Sequence, residues 1–355
     1  MDLKQCSRCV LDQSAREITF KNEICNFCIE YQESDKKRRA EAIHPGKEWT
    51  YYQIKKSKGK YQCILGLSGG VDSSTCLHYL IENGIKPLTF SVDNGWNDPK
   101  ADENIMRMVE SLKVPFQRVV LNLSVFKELQ KAFILSGTRN VEIPTDHCLL
   151  ALTYKMAAEN GIKWIISGGN LSTEGIMPQS YGYQARDLRH IKAIYRKFIG
   201  KELKGIFTIS LPQYLYYRFW KGIRIVNLLD FYEYRRNESI KMLEEKHGYN
   251  NYGEKHEESK FTKWFQNVWL YRIHKIDKRR AHYSSMINSG QMTREEAVEK
   301  LKVEPEPVEI EMNLGVESIT LHDYKDYPTN EFWWNLLSKI YGIAKAAKRS
   351  TGLIG

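Results

Sequence analysis

Ser68, Gly69, Gly70, Val71, Asp72, Ser73 and Ser74 form the stretch with the most chemistry in it. The apolar run Tyr61–Leu67 precedes it and reads as a buried strand. The run Thr75–Gly84 follows and reads as a helix with one apolar face and a glycine stop. Two glycines at a strand-to-helix handover let the backbone turn tightly and carry bare N–H groups close to a ligand. Asp72, Ser73 and Ser74 then fall in the first helical turn, where unpaired N–H groups and the helix dipole attract anions. The guest that fits is a phosphate.

The stretch is not a Walker A loop, because no Gly-Lys-Ser or Gly-Lys-Thr occurs in the chain. Nor does the chain hold the G-x-G-x-x-G dinucleotide fingerprint. It resembles instead the PP-loop, S-G-G-x-D-S, of the ATP pyrophosphatases. That resemblance implies cleavage of ATP between the α- and β-phosphates, adenylation of a substrate oxygen, and displacement of AMP by a nitrogen or sulfur nucleophile.

A second set of residues points to a metal. Cys6 and Cys9 form one C-x₂-C knuckle, and Cys25 and Cys28 form another fifteen residues on. Two knuckles at this separation can place four thiolates around one tetrahedral Zn²⁺. Ile18-Thr19-Phe20 reads as a strand between them and Lys21-Asn22-Glu23 as a turn, a zinc-ribbon-like plan. So polar a segment buries little core, so a metal would hold it together. With all four positions supplied by protein, the site is structural.

The elements that must position these groups alternate. Strands are expected at 61–67, 86–92, 116–121, 163–167 and 224–229, with helices between them, one of them capped by Ser124. Such alternation predicts an α/β fold with a parallel, five-stranded, doubly wound sheet, similar to that of the adenine nucleotide alpha hydrolases. Four regions are expected: a zinc ribbon at 1–35, a helical linker at 36–60, the PP-loop domain at 61–235 and a mainly helical C-terminal region at 236–355. Ligands of such sheets bind beyond the carboxyl ends of the strands. That rule selects the PP-loop, Asp93 at the end of the second strand, and Gly168-Gly169-Asn170 followed by Glu174. Asp93 is expected at the base or ribose, or alternatively as a turn former. Asp72 and Glu174 offer carboxylates for a Mg²⁺ that would neutralise departing pyrophosphate. Residues 175–222 read as irregular, with Tyr181, Tyr183, Arg186, Asp187 and Arg189 as pocket or surface groups. Thr293-Arg294-Glu295-Glu296 reads as a capping box, and 330–348 as the last helix.

Composition bounds the rest. Apolar residues make up 42% and charged residues 27%, which is globular. No run of eighteen apolar residues and no signal-peptide core is present, so a cytoplasmic location is expected. Net charge of +10 suits an anionic substrate, nucleic acid among the options.

Further motifs narrow the reading: G-G-N-L-S-T-E-G at 168–175, Y-G-E-K-H-E-E-S at 252–259 and D-K-R-R-A-H at 277–282. Together with the knuckles and the PP-loop, they resemble the N-acetyl sugar amidotransferase family, tied to bacterial lipopolysaccharide and flagellin sugars. The resemblance spans roughly residues 1–300. It implies ATP-dependent conversion of a sugar acetamido group to an acetamidino group. It also implies a nucleotide-linked or otherwise anionic sugar substrate, and ammonia from separate glutaminase and cyclase-like partners. It assigns Ser68, Gly69, Gly70, Asp72, Ser73 and Ser74 to pyrophosphate and Mg²⁺. Gly169, Asn170 and Glu174 go to the nucleotide side, and Lys255, His256 and Glu258 to the reacting centre. Two positions depart from the family pattern, which has glycine near 254 and histidine near 257 where this chain has glutamates.

Two other classes of function fit part of the pattern. A tRNA sulfurtransferase also joins a zinc ribbon to a PP-loop, and would need a reactive thiol; Cys148 is the candidate outside the ribbon. A non-enzymatic, nucleotide-sensing zinc adaptor would bind ATP without exchanging its pyrophosphate.

Overall fold

A computed structural model describes residues 3–41, 46–251, 258–310 and 319–350, with side chains up to residue 340 apart from that of residue 41. A two-stranded hairpin opens it: β1 (Phe20–Lys21) pairs antiparallel with β2 (Ile24–Cys25). Asn22 and Glu23 both take positive φ, 49° and 63°, and close the turn expected at 21–23.

Five further strands form the main sheet: β3 (Cys63–Gly66), β4 (Pro87–Asp93), β5 (Phe116–Val120), β6 (Trp164–Ser167) and β7 (Arg224–Asn227). Their order is β5-β4-β3-β6-β7, and every pairing is parallel. The sequence reverses direction between β4 and β6 on either side of β3. A crevice therefore opens at the carboxyl end of β3, where the first loop lies.

Successive side chains of a strand point to opposite faces, so a doubly covered strand must be apolar on both. In β3, Ile64 packs with Leu88, Phe90, Leu152 and Met156. Its neighbour Leu65 packs on the other side with Leu77, Leu80, Ile105, Met108 and Leu243. A third cluster lies off the sheet. There Phe126, Leu129 and Phe133 of the helix Leu123–Leu135 meet Ile191, Ile194 and Tyr195, together with Phe261, Trp264, Phe265 and Trp269 from the C-terminal region. Trp269 is fully buried and donates its indole N–H to the carbonyls of Thr138 and Arg139, which sets the C-terminal region in place.

Some local expectations change. Residues 175–222 are not irregular throughout. They contain the helix Leu188–Ile199 and the helix Leu211–Leu215, which widens into a π-turn at Tyr216–Trp220. Asp187 caps the first through the N–H groups of Arg189 and His190, and Gly200 stops it in the left-handed region. Asn122, not Ser124, caps the helix Leu123–Leu135. An aromatic helix starts at Lys260 and continues as a π-helix over Phe265–Ile273. The capping box at Thr293 is present in both directions. Among the described residues no helix is long and apolar enough to cross a membrane.

Candidate active site

Gly69 has φ +81°, and a Cβ there would overlap the backbone carbonyl of Ala101. Only glycine fits both the angle and the space. Gly70 begins the helix Val71–Glu82 in an extended conformation, and no described side chain caps that end. Amides at such a helix N-terminus favour an anion. The loop holds its own shape. Ser68 and Ser73 share a hydroxyl contact at 3.3 Å, Gly70 N–H donates to Ser68 Oγ at 3.2 Å, and Ser73 Oγ donates to the Gly70 carbonyl at 3.2 Å. Tyr249 OH donates to the Gly69 carbonyl at 3.0 Å. Val71 and Ser74 turn into the interior, with 5% and 1% exposure.

Asp72 accepts a short hydrogen bond from Tyr234 OH and a longer one, 3.4 Å, from Asn170 Nδ2. Burial and the Asp72 carboxylate push the Tyr234 phenol well above its ordinary range, so it stays a donor. Gly168 lies against the Asp72 backbone, where a Cβ would come within 3.2 Å. Asn170 serves as the N-cap of the helix Leu171–Glu174, accepting from Thr173 N–H at 2.9 Å. The site of a Cβ on Gly169 is 3.6 Å from Glu174 Oε2. Asp93 accepts from Gly95 N–H at 2.9 Å, the turn-forming role that the sequence left open.

The expected reacting centre falls in two parts. Lys255 and His256 lie outside the described residues, as does the rest of 252–257. Glu258 is described, and its place is informative. Its carbonyl accepts from Asp98 N–H at 2.9 Å, Ser259 bridges antiparallel to Asn97, and Lys260 N–H donates to the Trp96 carbonyl at 2.9 Å. This pairing carries Glu258 over the phosphate loop, where its carboxylate fills the space a Cβ on Gly70 would need.

A cavity of about 550 Å³ opens beside the loop. Ser68, Glu174 and Glu258 line its loop side, and Tyr181, Tyr183, Lys278 and His282 line other parts of its wall. Asp72 is not among the lining residues; its carboxylate is turned to Tyr234 and Asn170. Glu142 and Asp146 also line the cavity, and no sequence motif pointed to either. Burial, reinforced by the Asp146 carboxylate, pushes the Glu142 carboxyl up to about 8. Thr262 donates to Glu142 Oε1 at 3.2 Å. Asp187, offered by the sequence as a pocket residue, is instead fully buried at its helix cap.

At the N-terminus, Cys6, Cys9, Cys25 and Cys28 are wholly buried, and their sulfurs all lie within 4.8 Å of one another. N–H donors already face the sulfurs: Cys25 N to Cys6 Sγ at 3.3 Å, Leu11 N to Cys9 Sγ at 3.5 Å and Asn288 Nδ2 to Cys28 Sγ at 3.2 Å. Such donors suit thiolates, and the four-sulfur set fits a structural Zn²⁺. The helices Arg279–Asn288 and Arg294–Lys302 clamp this unit. Arg280 pairs with Asp12 at 3.1 Å and reaches the Val10 carbonyl, while Arg294 reaches the Cys9 and Cys6 carbonyls. Within D-K-R-R-A-H, then, Arg279 and Arg280 serve structure, since Arg279 is held by Asp277 at 2.7 Å. Lys278 and His282 face the cavity.

These features define a PP-loop protein of the α/β class. Comparison with known proteins agrees. Residues 62–174 match the family model of the queuosine biosynthesis protein QueC, and residues 258–336 match that of the LPS biosynthesis protein WbpG-like, C-terminal domain. The two matches together support a WbpG-like family of PP-loop proteins. An uncharacterized protein of Methanocaldococcus jannaschii is 27% identical over 250 residues, covering 68% of this chain and 72% of the relative. Three solved structures share weaker likeness. NMN synthetase from Francisella tularensis is 13% identical with a TM-score of 0.30, covering 56% of this chain and 71% of that one. NH3-dependent NAD synthetase from Campylobacter jejuni is 17% identical, also at 0.30, covering 48% and 74%. The U34-tRNA thiolase NcsA from Methanococcus maripaludis, with its [4Fe-4S] cluster, is 16% identical at 0.28, covering 70% and 84%.

Proposed function

We propose that the chain is an ATP-dependent amidotransferase that replaces the oxygen of a sugar N-acetyl group with nitrogen. The carbonyl oxygen attacks the α-phosphorus, and pyrophosphate leaves. Ammonia then attacks the activated carbon, and AMP leaves. The observation that carries this reading is the placement of Glu258. It begins the WbpG-like segment, its carboxylate fills the space beside Gly70 of the phosphate loop, and it lines one cavity together with Ser68 of that loop.

In this reading the amides at the start of Val71–Glu82 hold the pyrophosphate, and Glu174 and Glu258 supply carboxylates for Mg²⁺, which would neutralise it, while Asp72 stays held by Tyr234 and Asn170. Lys278 supplies positive charge beside the cavity. The substrate is a nucleotide-linked or otherwise anionic N-acetyl sugar of a surface glycan, and separate glutaminase and cyclase-like subunits supply ammonia in the cytoplasm.

Thiolation is less well supported. Cys63, Cys76 and Cys148 are all buried, and burial pushes the Cys148 thiol up to about 12, far from a reactive thiolate.

The test is mass spectrometry of nucleotide-linked N-acetyl sugars incubated with protein, ATP, Mg²⁺ and ammonium salt. The expected product is lighter by about one mass unit per exchange of O for NH, with AMP and pyrophosphate released, as ATP-driven activation of an inert oxygen requires. ADP and orthophosphate as products, or AMP released onto tRNA, would overturn the reading.

A further inference from the structure

We propose that Glu142 is the group that removes the surplus proton from the attacking nitrogen. The inference rests on the amidotransferase reading above. It names a residue that neither the sequence motifs nor the family likeness singles out.

The chemistry demands such a group. When ammonia bonds to the adenylated carbon, the nitrogen arrives with three protons and a positive charge. One N–H bond must break, its electron pair staying on nitrogen, before the C–O bond breaks and AMP leaves with its electron pair. The product is then an amidinium cation that keeps the remaining two protons. Water in a closed pocket would compete with ammonia, so the acceptor is best supplied by protein.

Glu142 has the position for it. It lies in the wall of the cavity that Ser68 and Glu258 bound on the loop side. It immediately precedes the helix Ile143–Glu159, yet its side chain makes no cap to that helix. Thr262, two residues into the helix that Glu258 and Ser259 lead in, donates to one carboxylate oxygen at 3.2 Å. The charged and titratable groups around it are Asp146 on the helix it precedes, Lys278 ahead of the helix Arg279–Asn288, and Glu174, Glu258, His282, Tyr181 and Tyr183 on the cavity wall. Asp146 and burial favour the neutral carboxyl, while Lys278 and Thr262 favour the carboxylate. The balance leaves Glu142 able to take a proton and release it near neutral pH. Nitrogen transfer is accordingly expected to rise with pH and level off above about 8.

Glu142→Gln keeps the shape and can still accept from Thr262, but cannot take a proton. Two half-reactions are read on wild type and variant: sugar-dependent ATP–pyrophosphate exchange, and formation of the lighter product from ammonium salt. The expected result is exchange within about twofold of wild type and product formation lower by about 10²–10⁴-fold, the usual worth of a positioned proton acceptor. Product formation at the wild-type rate overturns the proposal. So does parallel loss of both half-reactions in a variant that melts like wild type, which would make Glu142 a structural residue. If Glu142→Gln melts early, Glu142→Asp decides: it is expected to retain transfer with a displaced pH profile, and an unchanged profile overturns the assignment. Wild type that exchanges pyrophosphate but never yields the lighter product sinks the amidotransferase reading, and this proposal with it.

Discussion

Gly69 and Gly84 both adopt positive φ, +81° and +69°, but their surroundings differ. Gly84 faces open space, whereas Gly69 faces the Ala101 carbonyl. Gly84→Ala is expected to cost only the left-handed strain, about 1–2 kcal/mol, with ATP turnover unchanged. Gly69→Ala must also displace backbone, so turnover is expected to collapse; parallel melting curves and AMP-release assays separate the two. Gly69 was legible in the sequence because its neighbours form a motif. Glu142 was not, because a glutamate between Val141 and Ile143 carries no local mark. Its character comes from burial and from Thr262, 120 residues away. Asp72 and Asn170 were legible as site residues, but their partner Tyr234 was not, since nothing in Tyr232–Tyr234 announces a hydroxyl aimed at the phosphate loop.

Element by element, the five strands were readable because each is a short apolar run in a chain of alternating type. The helix Leu188–Ile199 was missed although Ile191, Ile194 and Tyr195 form a buried stripe at helical spacing. Its ends were nonetheless written in the sequence as Asp187 and Gly200. Asp187 does more than cap. It accepts from Arg189 N–H, His190 N–H, Tyr183 OH at 2.7 Å and Asn330 N–H at 2.5 Å, so it also ties the last helix to the body. Asp187→Ala is expected to destabilise by roughly 2–4 kcal/mol, because several donors to a buried carboxylate lose their acceptor together. Thr293→Ala, an exposed capping box, should cost about 1 kcal/mol. Chemical denaturation of the two variants checks the contrast, and equal losses would mean that Asp187 is only a cap. The four-cysteine cluster was legible from its knuckles, but its docking was not. Arg280, Arg294 and Asn288 reach it from 270, 285 and 260 residues away. Chelation of the metal is therefore expected to lower the melting temperature of the whole chain and to expose the helices 279–302 to protease. A ribbon that melts alone, leaving those helices protected, would contradict this.

At the scale of the whole molecule, buried titratable groups set the pH range of stability. His147 and His190 are buried, and burial depresses both to about 4. His147 stays neutral while its two nitrogens meet the Ala185 carbonyl and the Ile209 N–H. In the unfolded chain both titrate near the ordinary 6.5, so the unfolded state binds more protons between 6.5 and 4. Their contribution is complete above 6.5 and is lost as pH falls toward 4, by up to about 1.4 kcal/mol per pH unit for each. Glu142 runs the other way. Raised from 4.5 to about 8, it contributes fully below 4.5 and loses its contribution as pH rises to 8. The imidazole of His190, ringed by Phe133, Tyr183, Tyr324 and Tyr327, has no hydrogen-bond partner among the described residues. His190→Leu should flatten the acid limb of the stability profile, and Glu142→Gln should gain on wild type toward pH 8; melting series from pH 4 to 8 test both. The strand-like pairing of Glu258 and Lys260 with Trp96 and Asp98 has one more consequence, in the order of synthesis. A chain leaving the ribosome completes its phosphate loop long before the residue that covers it, and its four thiols long before Asn288 and Arg294 arrive. The covered loop and the docked cysteine cluster must therefore wait until Glu258 and the helices after it have been made.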